Sequence, residues 1–97
     1  MHSKKTEIEE KIILKVKELR MASNISQLEL SSMLGISNGL VCNIESPSFQ
    51  HKYTLKQLHL FCTVIDYPFE KLFLTDEELI SDNSIKILIE KIIQYDE

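Results

Sequence analysis

Apolar residues recur along this chain at helical spacing, with few stretches of strict alternation. Ile8, Ile12, Val16 and Leu19 fall three or four positions apart, and Leu55, Leu58, Phe61, Cys62 and Ile65 also recur on one helical face. Each set predicts a helix with one buried face. Between them, QLELSSMLGISNGLVCNI, residues Gln27 to Ile44, has the spacing of two short helices joined at a sharp turn. Leu30 and Leu34 line the first, Gly35 takes the left-handed turn conformation, and Ile36, Val41 and Ile44 bury the second against it. Ser37, Asn38, Gly39, Cys42 and Asn43 stay outside. Helix starts are punctuated by Thr6 with Glu9, Ser26 with Glu29, Thr54 with Gln57, and Thr75 with Glu78, each at the spacing of a reciprocal capping box. Pro68 suits the first turn of a short fifth helix ending at Phe73. A final stretch, Ser84 to Tyr95, sets Ile85, Leu88, Ile89, Ile92 and Ile93 on one stripe.

Composition agrees with an all-α fold. The 97 residues include two glycines and two prolines, enough chain for one compact helical core and not for two. The expected organisation is a domain over residues 1–74, followed over 75–97 by an acidic linker and an amphipathic helix. The N-terminus, MHSKKTEIEEK, is charged, and no apolar run approaches the length of a membrane span, so a cytoplasmic protein without membrane attachment is expected. Cys42 and Cys62 lie on different predicted helices with no CxxC pair or histidine at ligand spacing, and His2, His51 and His59 are scattered. Neither a disulfide framework nor a metal site is indicated. No nucleophile and base, carboxylate dyad or glycine-rich phosphate loop stands at useful spacing, so no enzyme and no cofactor are expected.

The pair of short helices is the pattern of a helix-turn-helix, whose second helix enters the major groove of duplex DNA. Over roughly residues 7 to 74 the chain resembles the Cro and phage-repressor type (XRE-like) helix-turn-helix DNA-binding domains. The likeness rests on Arg20 late in the first helix, Ser26-Gln27 opening the second, Gly35-Ile36-Ser37 at the turn, Glu45 closing the third, and Leu55, Leu58, Ile65, Phe69 and Leu72 on the core spacing. Ser31 stands where the family usually has alanine, Ser46-Pro47 replaces a glycine-containing exit, and Asp66 takes a frequent glycine position.

The resemblance implies a five-helix phage-repressor-like domain with the Ser84–Tyr95 helix added to it. It implies a recognition helix starting at Ser37 that reads bases through Asn38, Gly39, Cys42 and Asn43, the asparagines being suited to adenine. Phosphate contacts are expected from Gln27 and Ser37 at helix starts, and from Gln50, His51, Lys52 and Tyr53 in the loop after Glu45. The resemblance also pairs Arg20 with Glu45 as a structural ion pair. Gly39 serves either close backbone approach to DNA or nothing beyond tolerance.

Charge complicates this picture. The formal net charge is -4, which repels phosphate when averaged over the molecule. Residues 1–65 carry eight Lys or Arg against six Asp or Glu, however, and residues 66–97 carry three against nine. The acid is concentrated in the tail. So weakly basic a domain needs base contacts, a dimer or a partner protein to hold DNA. The expected function is therefore a sequence-specific regulator of transcription, a repressor on family grounds, working on double-stranded DNA as a homodimer. The Ile85, Leu88, Ile89, Ile92 and Ile93 stripe either folds over its own domain or pairs with a second copy. The alternative is an antitoxin-like or regulatory protein-interaction module with weak DNA binding, its acidic C-terminal segment meeting a basic partner.

Overall fold

A computed structural model describes residues 5–97; Met1 to Lys4, the first residues of the expected 1–74 domain and His2 among them, lie outside the described residues. The described chain is all-helical: α1 (Glu7–Ala22), α2 (Gln27–Leu34), α3 (Leu40–Glu45), α4 (Leu55–Val64), a single 3-10 turn (Phe69–Leu72), α5 (Asp76–Leu79) and α6 (Ser84–Asp96). No helix among the described residues is long and apolar enough to cross a membrane.

All four capping boxes form. The Thr6, Ser26, Thr54 and Thr75 hydroxyls each accept from the backbone amide three residues on, and the Glu9, Glu29, Gln57 and Glu78 side chains reach back to the cap amides. Each box satisfies two amides that a helix start otherwise leaves unpaired. Gly35 ends α2 at φ 68°, ψ 32°, the left-handed conformation a side chain disfavours.

The core gathers Ile12, Ile13 and Val16 of α1, Leu30 and Leu34 of α2, Val41 and Ile44 of α3, Leu58, Phe61 and Cys62 of α4, and Leu72 and Phe73 beyond it. Two tyrosines complete it: Tyr53 before α4 and Tyr95 near the end of α6 are both almost fully buried.

Two expected elements differ. The fifth helix is one 3-10 turn, and Pro68 precedes it in extended conformation instead of opening it. Leu72, Phe73 and Leu74 are all buried; three consecutive side chains cannot share one helical face, so the chain straightens after a single turn. The Thr75 box, in turn, heads the four-residue α5, which buries none of its residues.

α6 packs against α1 and α5. Of the five stripe residues, Leu88 and Ile92 lie half-buried against the core, while Ile85, Ile89 and Ile93 face outward. Tyr95 anchors the packed face, its ring edge-on to Phe73 with centroids 6.0 Å apart. Lys91 adds an ion pair to Glu78 of α5 at 2.6 Å and donates to the Phe73 carbonyl at 3.1 Å.

Candidate functional site

α2 and α3 pack together through buried Leu30, Leu34, Val41 and Ile44, with the turn at Gly35 between them. α3 begins at Leu40 and not at Ser37, a correction to the expected recognition helix. Ser37 to Gly39 form a lead-in turn closed by the Leu40 amide donating to the Ser37 carbonyl at 3.1 Å. No side chain caps α3, because its cap position is Gly39. Six residues is the whole helix, so its position depends on what holds it.

Three contacts do so. Val41 and Ile44 are buried to within 1 % of complete. The Ser31 hydroxyl, fully buried in α2, donates to the Asn38 carbonyl at 3.3 Å and ties the lead-in turn to α2. At the far end the Arg20 guanidinium grips Glu45 at two points, Nε to Oε2 at 2.8 Å and Nη2 to Oε1 at 3.0 Å, with side chains 9 % and 3 % exposed. Arg20 also donates to the Ile25 carbonyl at 2.7 Å, so one buried cation joins α1, the α1–α2 loop and the end of α3.

The expected base-reading residues share the outer side of this assembly. Asn38, Gly39 and Cys42 are exposed and Asn43 is half-exposed. Neither asparagine commits its side-chain amide to a hydrogen bond with another described residue. Gly39 has φ -86° and no atom within 4 Å of where a Cβ would stand. Ser37 is exposed beside them.

Sequence reasoning misplaced part of the expected phosphate set. Tyr53 is 1 % exposed and belongs to the core, out of reach of any backbone phosphate. Lys52 turns inward: its ammonium pairs with Glu9 of α1 at 2.7 Å, donates to the Tyr95 carbonyl near the end of α6, and lies 5.0 Å from the Tyr95 ring centroid. A cation at a helix C-terminus answers the carbonyls there, which explains its choice. Gln27 donates its amide to Glu45 Oε1 at 2.9 Å and so joins the Arg20–Glu45 network. Gln50 and His51 remain exposed.

Lys5 and Tyr95 were absent from the expected site and turn out to shape it. Lys5 donates to the Ser46 carbonyl at 2.6 Å and to that of Phe49, holding the loop that leaves α3, and burial lowers its pKa against the pull of Glu10 and Glu9. The Tyr95 hydroxyl donates to the Tyr53 carbonyl at 2.7 Å, fastening α6 to the other end of that loop. A lysine beside a capping box and a tyrosine ending an apolar stripe are the only signals the sequence offers for either.

Burial raises the Cys62 thiol to about 11, with Glu70 adding to the effect, whereas Cys42 stands exposed on α3.

No family model, curated protein or solved structure matches this chain.

Proposed function

We propose that the protein is a sequence-specific DNA-binding regulator that reads the major groove with α3 and its lead-in turn. One observation carries this reading. A six-residue helix and its lead-in turn are held from below by Val41, Ile44, Ser31 and the Arg20–Glu45 clasp, and together their outer side presents Asn38, Gly39, Cys42 and Asn43 with both asparagine amides unspent. Rigid support under an exposed polar reading edge is what direct base readout requires, since an asparagine amide can pair bidentately with adenine. In this reading the protein is a cytoplasmic homodimer on a partly palindromic site, and it represses transcription, as the resemblance implies.

Phosphate contacts then fall to Ser37, Gln50 and His51, with backbone amides of the first turn of α2 beside Gln27. With Lys5 and Lys52 directed at carbonyls and Glu9, this face holds few free cations, and sequence-independent affinity is correspondingly low. That same scarcity favours the second reading, a protein-interaction module of antitoxin-like or regulatory type.

Selection from a random duplex pool at two salt concentrations decides between them. Enrichment of a two-fold symmetric site, lost on Asn43→Ala, supports the regulator. No enrichment even at low salt discards it in favour of the interaction module.

A further inference from the structure

α6 leaves an apolar ridge in water. Ile85, Ile89 and Ile93 are 72 %, 53 % and 54 % exposed, whereas Leu88, Ile92 and Tyr95 on the adjoining side pack on their own domain. Residues four apart stack on one face, so the three side chains form a continuous rib about 12 Å long at a rise of 1.5 Å per residue. A solvent-exposed rib of three isoleucines on a helix whose other face is already packed marks a contact surface.

The charges beside the rib choose its occupant. At 100° per residue, Lys86 and Glu90 both stand along the flank away from Leu88, one turn apart and opposite in sign. In an antiparallel pair of identical helices, a two-fold axis sets each flank against its own copy, running in reverse. Centred on Ile89, that arrangement places Ile85 against the partner's Ile93 and Lys86 near the partner's Glu90, with the same contacts repeated by symmetry. A parallel pair would instead turn this flank toward Leu88 and Ile92, which already pack inward. A membrane surface is a poorer fit, because Lys86 shares the polar side with Glu90 and Gln94, and Asp96 stands in line with the rib at its C-terminal end.

We infer that a second copy of this chain docks antiparallel on the Ile85–Ile89–Ile93 rib, with two reciprocal Lys86–Glu90 pairs fixing the register. The interface stands on α6 alone; its consequence for DNA rests on the reading proposed above. α6 is fastened through Tyr95 and Lys52 to the segment that follows α3, so the pairing sets the distance between two reading helices and hence the half-site spacing.

A rib this short buries less than the roughly 1,200 Å² of a standard interface, so association in the micromolar range is expected. Sedimentation velocity of the full chain without DNA, over concentrations spanning that range, tests it on the wild type and on Ile89→Asp, Lys86→Glu, Glu90→Lys and the Lys86→Glu/Glu90→Lys double variant. All the substituted positions are exposed, and circular dichroism checks that each variant stays helical. The expected result is a concentration-dependent dimer, abolished by Ile89→Asp, weakened in each charge variant and restored in the double variant. A monomer at every concentration overturns the inference, and one that adsorbs to phosphatidylglycerol vesicles reassigns the rib to a membrane. A dimer indifferent to Ile89→Asp, or a double variant no better than either single one, overturns it equally. Because DNA is absent, a dimer that later selects no sequence discards the DNA reading while leaving this interface standing.

Discussion

Tyr95 donates its hydroxyl to the backbone carbonyl of Tyr53, 42 residues earlier, at 2.7 Å. Both rings are almost fully buried, and burial raises both phenols well above their ordinary range, so both stay neutral. Their hydroxyls differ, since that of Tyr53 is buried with no hydrogen-bond partner among the described residues. Tyr95→Phe should therefore cost about 0.5–1.5 kcal/mol for the lost bond. Tyr53→Phe removes an unpaired polar group and should be neutral or stabilising. Urea unfolding of the two variants checks the contrast, and equal losses would contradict it.

Arg20 and Glu45 form a buried ion pair, so removing one partner strands the other's charge. Glu45→Ala is expected to destabilise by about 3–5 kcal/mol, against under about 1 kcal/mol for a pair at the surface. The paired substitution Arg20→Met/Glu45→Leu should cost less than Glu45→Ala, because no buried charge is left alone. Denaturant midpoints of the three proteins measure this directly.

Much of this arrangement is legible in the sequence where the signals are local. Four capping boxes placed four helix starts, and the single glycine between Leu34 and Ile36 placed the turn. What escaped depends on contacts between residues far apart in the chain. Lys52 reads as a free cation in a polar loop until Glu9 and the end of α6 arrive beside it. Tyr53 reads as part of the same loop, yet the segment turns in just before α4 and carries the ring into the core. Similarly, the α6 stripe reads as one face, and only packing against α1 and α5 divides it into an anchored half and an exposed rib.

Acid should loosen the α1 end of the molecule. Burial works to raise the Glu9 carboxyl, but bonds from the Lys52 ammonium and from the Thr6 amide and hydroxyl, with the Lys52 charge, outweigh it and hold it below its ordinary value. Glu78 is likewise lowered, first by Lys91 and then by the Thr75 amide. A carboxyl whose folded pKa is depressed contributes stability above its unfolded pKa and loses it as pH falls through the folded value. Thermal melts should thus be flat near neutrality and drop as pH falls below about 4.3, the ordinary glutamate value. In Glu9→Gln part of that drop should be missing, so its gap to wild type narrows on acidification. A gap independent of pH would rule out Glu9 as a contributor.

The two thiols should be chemically distinct. Cys62 is buried with its thiol raised to about 11, so little reactive thiolate forms at neutral pH, while Cys42 is exposed on α3. A disulfide reagent should titrate one thiol per folded chain promptly and the second only on unfolding. Cys42→Ser should remove the prompt phase alone. Because Cys42 lies on the proposed reading edge, its alkylation should also weaken DNA binding by steric bulk.

The two glycines should respond to alanine in opposite ways. Gly35 ends α2 at φ 68°, where a Cβ is strained however open the space, so Gly35→Ala should cost about 1–2 kcal/mol. Gly39 has φ -86°, ψ -7°, a conformation any residue adopts, and no atom lies within 4 Å of the added Cβ. Gly39→Ala should leave stability unchanged or raise it by up to about 1 kcal/mol, since alanine has less unfolded-state entropy to lose. The fold therefore gives no reason for a glycine at the start of α3. If DNA approaches the backbone there, the stable Gly39→Ala protein will bind its selected site more weakly than wild type; undiminished binding would show that DNA makes no close approach to the backbone at Gly39.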